Sequence, residues 1–304
     1  MSSTPHAMRH LFLKLSAVTV TGLLLSTGGA PAQAATSPDV HQALESAAHG
    51  SWRSAKNVAR DKYRHPVETL EFFGIRPDMR VVEVLPGGGW YTDILAPFLK
   101  DHGTLIEAEP PVVGTMGFDH DSAVRYNAKL ASNPTVFGKV QLTPFEPTDY
   151  MSLGAPNTAD LVVTFRNVHD MVFENVHGEG SDTDLQNFLR SAYTVLKPGG
   201  VLGIEEHRAA SDMPLDQAFK LSRVNQNYLI HEAEMAGFRL AGTSEVNANP
   251  KDDRKSDVFF FPPALSADSG NKAKYAALGE ADNMVVKLVK PSLAAMPMPG
   301  MSGM

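Results

Sequence analysis

The chain has 304 residues, 43% hydrophobic and 20% charged, with a formal charge of -7 and no cysteine. That length and apolar content suit one large globular α/β domain or two small ones. The acidic balance argues against a general nucleic-acid or acidic-membrane binder, and the absence of cysteine excludes disulfides, thiolate metal sites and a cysteine nucleophile.

In chain order, the first signal is one of export. Arg9 and Lys14 precede an apolar run from about Leu15 to Leu25, and "APAQAAT" then offers small residues at the spacing a signal peptidase reads. The pattern predicts cleavage after Ala34, with an uncleaved N-terminal anchor as the alternative. The run is short for a membrane span, and nothing later in the chain supplies one. Removing these two basic residues leaves 25 basic against 34 acidic, a charge of about -9. A soluble acidic protein of the bacterial periplasm or medium is the expectation.

From Asp39 to Phe73 apolar residues recur at helical spacing, so residues 35–80 read as two or three helices packing on a core. Pro66 opens a new helix among them, since proline is tolerated in a first turn. "RPDMRVVEVL" is a turn and a buried strand, "WYTDILAPFL" a helix, and "GTLIEAEP" a second strand. Ser122 to Ala131 reads as helix, "KVQLTPF" as a third strand and "ADLVVTFRNVHD" as a fourth. Helix follows over Asp184 to Leu196, a fifth strand in "GGVLGIEEHR", and one long helix from Gln217 to Ala236. This alternation implies crossover connections and a mostly parallel sheet covered on both faces. "FRLAGTSEV" and "MVVKLVK" then form a closing antiparallel pair around an insertion at about 247–283. The tail from 291 to 304, "SLAAMPMPGMSGM" after its first residue, is expected to be disordered.

Chemistry concentrates at strand ends. Glu83 closes the first strand, and Gly87, Gly88 and Gly89 form the strand-to-helix turn, where backbone passes close to a ligand with no Cβ in the way. Glu109 stands twenty residues after Gly89, at the end of the second strand, where an acid accepts hydrogen bonds from ribose hydroxyls. A dinucleotide-binding dehydrogenase competes for these features, but Thr92 occupies the position of its third fingerprint glycine. A bare tight turn is the plainer alternative.

"VVEVLPGGGWYT", "GTLIEAEP", "ADLVVTFRNVHD" and "LKPGGVLGIEEH", in this order and spacing, resemble the successive motifs of class I S-adenosylmethionine-dependent methyltransferases. "RHPVETLEFFGIRPDMRVVEVLPGGGWYTDILAPFL" is similar, more narrowly, to a bacterial subgroup of predicted methyltransferases that carry signal peptides. The resemblance covers roughly Arg60 to Pro291. It implies the Rossmann-like class I methyltransferase fold over 81–290, a mostly parallel seven-stranded sheet with an antiparallel last strand and helices on both faces.

By position, the resemblance implies that Glu83 answers the amino group of the cofactor, S-adenosylmethionine, and that Gly87, Gly88 and Gly89 let the backbone approach it. Glu109 would hold the ribose, Glu146 would reach toward the adenine amine, and Asn167 would contribute to the same site. Leu85 departs from the pattern, because many relatives begin this turn with glycine.

Methyl transfer needs alignment more than covalent help, and a base only where the acceptor must lose a proton. His169 suits that task near neutrality, and Asp170 orients it or acts alone. The alternative is that Asn167, His169 and Asp170 merely bond the loop backbone. His177, His207, Tyr228 and His231 are weaker candidates, while Trp90, Tyr91 and Arg166 are candidates for the acceptor pocket or for plain packing. No metal constellation is evident in the core; Met296, Met298, Met301 and Met304 are thioethers of a kind that binds cuprous copper. The partner expected is a small molecule, and the rival reading is an exported protein that binds a nucleoside-like compound without turnover.

Overall fold

The computed structural model describes residues 38–112, 117–145, 152–177, 183–266 and 270–292. The signal-peptide region, Glu146, the side chain of His177 and the Met-rich tail lie outside the described residues. The described residues begin with four helices, α1 (Pro38–Ala48), α2 (Ala55–Val58), α3 (Asp61–Arg64) and α4 (Pro66–Phe73). β1 (Arg80–Val84), α5 (Thr92–Leu99), β2 (Thr104–Glu109), α6 (Gly117–Ser132), α7 (Pro134–Phe137) and β3 (Gln141–Pro144) follow. The second half contains β4 (Ala159–Phe165), α8 (Val168–His177), α9 (Thr183–Val195), β5 (Leu196–His207), α10 (Leu215–Lys220) and α11 (Gln226–Met235). It closes with β6 (Arg239–Ser244), α12 (Lys272–Leu278) and β7 (Asn283–Val289).

The sheet has seven strands in the order β3-β2-β1-β4-β5-β7-β6. β1 to β5 pair in parallel, and β7 runs antiparallel between β5 and β6. This is the mostly parallel sheet that the alternating pattern predicts, with the seven strands and antiparallel last strand that the resemblance implies. Strand periodicity divides its two faces. Val82, Val84 and Val162 pack with Leu185, Phe188 and Leu229, whereas Val81, Leu161 and Val163 pack with Leu44, Leu70 and Ile94. The N-terminal helices therefore share a core with α5. Trp52 Nε1 donates to Asp93 O at 2.7 Å and Trp90 Nε1 to Asn57 O at 3.1 Å.

Two boundaries differ from the sequence reading. The fourth strand stops at Phe165, and "NVHD" instead enters α8. The reason is Arg166, whose φ of 60° turns the chain out of the sheet, while Glu206 Oε2 accepts hydrogen bonds from the Val168 and His169 amides at 2.6 and 3.2 Å. A carboxylate there satisfies amides that a new helix leaves open. The expected single helix over 217–236 is two helices, α10 and α11. Ser222 has a φ of 54°, Val224 forms a bridge with Arg208, and the buried Arg223 guanidinium bonds Arg208 O and Asp252. Tertiary polar contacts thus override a continuous helical period. Among the described residues, no helix is long and apolar enough to cross a membrane.

Candidate functional site

β1 runs out into the glycine turn through Leu85, whose φ of 54° is the left-handed conformation that glycine adopts freely. Leu85 thus holds a backbone shape usually left to glycine, at a steric cost. Asn167 pins the turn from the β4 side: its Nδ2 donates to Leu85 O at 2.8 Å and to Val84 O at 3.2 Å. A Cβ built on Gly87 or Gly88 would meet nothing within 4 Å, so this backbone faces open space. Gly89 is different. A Cβ there would meet Lys129 at 2.8 Å and Tyr126 at 2.9 Å, so α6 already fills that side of the turn.

Beneath the turn, Glu83 and Glu107 are partners across the β1–β2 pair, and both are buried. Glu83 Oε2 accepts from the Thr92 hydroxyl at 3.1 Å, and that hydroxyl lies 3.0 Å from Tyr126 Oη. No hydrogen bond of ordinary geometry reaches either oxygen of Glu107 among the described residues, and the Tyr126 hydroxyl offers it only a weaker contact. Burial pushes the Glu83 carboxyl up to about 7. Burial and the Glu83 charge drive Glu107 well above the carboxylate range, so it carries a proton that it can donate to Glu83. The pair is an internal device rather than part of a cavity wall.

Two cavities open at the strand tips. The larger, about 510 Å³, is bordered by Gly87, Gly88, Trp90, Arg166, His169 and His207, among others. Glu109 borders a separate cavity of about 330 Å³ between the tips of β2 and β3. Glu83 borders neither, so the two acids that the resemblance assigns to one cofactor do not line a common cavity. Gly87, Gly88, Asn167, His169 and Asp170 do converge on one cavity, together with Trp90 and Arg166. Tyr91 instead packs inside, stacked on Phe165 with ring centroids 3.4 Å apart, its hydroxyl donating to Glu205 at 2.9 Å. Neither Tyr228 nor His231 lines this cavity.

The floor of the large cavity is ionic. Arg64 Nε lies 2.9 Å from Glu280, and Arg166 Nη1 lies 3.4 Å from Glu280 and 3.7 Å from Glu205. Beside this lie two histidines in opposite charge states. Burial lowers the affinity of His169 for a proton, but the Glu206 and Asp170 carboxylates outweigh it and hold the imidazole at about 9. His169 Nδ1 is 2.9 Å from Glu206 Oε1 and its Nε2 is 3.4 Å from Asp170 Oδ1. His207 is pushed well below 6.5, by burial first and then by the charges of His169 and Arg166. At neutral pH His169 is therefore charged and a poor base, whereas His207 keeps a free lone pair. Sequence reasoning ranked these two the other way, because Glu206 lies 37 residues from His169 and only the β4–β5 pairing brings them together. The same pairing gathers His169, Glu206 and His207 into one group of potential metal ligands, where the sequence showed no such constellation.

No family model matches the chain, and neither does any curated protein. Solved structures do match its fold. One is a SAM-dependent methyltransferase from Aquifex aeolicus, with a TM-score of 0.50, 17% identity, and coverage of 76% of this chain and 93% of that one. Another is the [4+2]-cyclase SpnF, with a TM-score of 0.52, 16% identity, and coverage of 84% and 93%. The fold is Rossmann-like and of the methyltransferase type. It does not by itself dictate a reaction, since one of these two neighbours is named for a cyclisation.

Proposed function

We propose that this protein is an exported methyltransferase that uses S-adenosylmethionine on a small acceptor. The observation that carries the reading is the bare backbone of Gly87 and Gly88 on the wall of the large cavity. A strand-to-helix turn of this kind, outside the carboxyl ends of a doubly wound sheet, is where such folds bind nucleotide-like ligands. The residues fit the cofactor in part. Gly87 and Gly88 would receive its amino-acid end; Glu109 borders the separate cavity at the tip of β2 and would reach the ribose only with the Tyr126 and Lys129 side chains beside Gly89 moved aside. Glu83 serves indirectly, by fixing Thr92 and the start of α5.

Bound there, S-adenosylmethionine supplies a methyl group already activated by its sulfonium. The chain's own work is orientation and exclusion of water: Trp90 and Phe259 border the cavity with apolar surface, and Asn167 holds the turn in place. Orientation of this sort accounts for roughly 7 to 11 kcal/mol of barrier in favourable cases. His169, held charged, donates a hydrogen bond to the acceptor rather than taking a proton from it.

The second reading is an exported binding protein with the same fold and no turnover. The packing of Tyr126 and Lys129 against Gly89 favours it, because it closes the β2 side of the turn; a further support is that S-adenosylmethionine is made in the cytoplasm. Calorimetry with S-adenosylmethionine, S-adenosylhomocysteine and NAD separates the readings. The enzyme binds the first two, and Gly88→Val, which adds a side chain only to open space, weakens that binding by about 100-fold or more with an unchanged melting temperature. Glu109→Ala weakens it less. Binding without methyl release over a broad acceptor panel supports the second reading; binding of NAD alone overturns both. Fractionation of cells expressing the chain tests export, and a full-length cytosolic product overturns it.

A further inference from the structure

The end of β5 meets the start of α8 in an arrangement that orientation of a methyl acceptor leaves unexplained. His169, Glu206 and His207 each present a donor atom within 4.8 Å of the other two. His169 Nδ1 and Glu206 Oε1 are 2.9 Å apart. Two ligands at right angles, each roughly 2.1 Å from one ion, stand at about 3 Å from each other. The two imidazoles have centroids 5.3 Å apart, and both border the large cavity.

A second observation is independent of that spacing. His207 Nδ1 and Asn283 Oδ1, opposite each other across the β5–β7 pair, are buried, and no hydrogen bond of ordinary geometry reaches either among the described residues; their only contact is a loose one with each other. Native structures seldom leave buried polar atoms so weakly satisfied, and an absent ion is one of the recognised reasons when they do. Ligation through a His169 nitrogen displaces the proton it otherwise shares with Glu206, so the ion takes the place of that positive charge.

We propose that His169, Glu206 and His207 form a binding site for one divalent first-row transition-metal ion. Two imidazole nitrogens and one carboxylate suit zinc, manganese, iron or cobalt, whereas magnesium and calcium take shells made of oxygen. Glu206 is a rigid ligand, because the amides of Val168, His169 and His207 hold its carboxylate. Three ligands leave positions open toward the cavity, as in sites that act on a bound molecule rather than closed structural ones. If the methyl-transfer reading holds, an acceptor hydroxyl would bind at an open position and, its pKa lowered by the ion, would release its proton to solvent, leaving an oxygen anion that takes the methyl group as the sulfonium C–S bond breaks.

The test uses the full, tag-free chain, stripped with a chelator and titrated with Co²⁺ by calorimetry and visible absorption. One Co²⁺ is expected to bind with ligand-field absorption, to be displaced by Zn²⁺ and to resist an excess of Mg²⁺. His207→Ala, at a side chain whose Nδ1 supports no hydrogen bond of ordinary geometry, is expected to fold normally and to lose about 100-fold or more in Co²⁺ affinity, above the 10- to 100-fold typical of outer-shell partners. His169→Ala is expected to lose as much. Absence of Co²⁺ uptake overturns the site, and so does uptake that both variants retain in full, which places the ion elsewhere in the chain. Parallel titration with S-adenosylmethionine keeps the two readings apart: Co²⁺ binding without it removes only the acceptor's role, and the reverse removes only the metal.

Discussion

Glu107 and Glu206 are the same residue type, on β2 and β5 of one sheet with two strands between them, both with no exposed surface, yet their surroundings are opposite. Glu206 accepts from the Val168, His169 and His207 amides and faces the His169 ring at 2.9 Å. It is an acceptor with its donors in place. Glu107 meets another acid, Glu83, and no hydrogen bond of ordinary geometry reaches its oxygens among the described residues, the Tyr126 hydroxyl offsetting only part of the burial and of the Glu83 charge that drive its pKa up. The lesson is that equal burial leaves two acids in different surroundings, set by the donors that the neighbouring chain offers each.

The largest expected effect breaks the compensated side. Glu206→Ala leaves the first amides of α8 and the charged His169 without their acceptor, and should destabilise the metal-free fold by about 3–5 kcal/mol in denaturant unfolding. A loss below about 1 kcal/mol would mean that Glu206 contributes little beyond its place in the chain.

The uncompensated side should respond with the opposite sign. Glu83 has a folded value of about 7, above its ordinary 4.5. Its contribution to stability is therefore fully present below about 4.5 and is lost as the pH rises through about 7. Glu107→Gln removes the second acid of the pair, so the variant should be more stable than the parent at pH 8, on the order of 1–2 kcal/mol, and nearly equal to it at pH 4. Thermal melts across that range check it; a variant that is less stable at pH 8 would show that the pair is compensated after all.

The smallest effect concerns the turn between the two sides. Leu85→Gly relieves a left-handed φ worth about 1 kcal/mol, but adds backbone freedom to the unfolded chain worth about as much. The net change in stability should lie within about 1 kcal/mol. A loss well beyond that would show that Leu85, which packs against the adjoining core, matters more for its side chain than for its φ.

Much of this molecule is legible in its sequence. The order of strands and helices, the glycine turn, the strand-end acid Glu109 and the opening of α4 at Pro66 all follow from patterns within a few residues of each other. The break between α10 and α11 is not legible, because it is made by Arg223 reaching Asp252 and Ser256 far along the chain. Nor is the charge state of His169, which depends on Glu206 arriving from β5.

By itself, the sequence determined the alternating architecture and the place of the glycine turn at the end of β1, because hydrophobic period and backbone freedom are properties of short stretches of chain. Only the tertiary structure decided that Glu83 faces Glu107 rather than a ligand, that Gly89 is covered while Gly87 and Gly88 stay bare, and that two histidines 38 residues apart stand side by side in opposite protonation states. The physical reason is that desolvation and charge pairing depend on distances in space, which strand pairing sets and local sequence does not record.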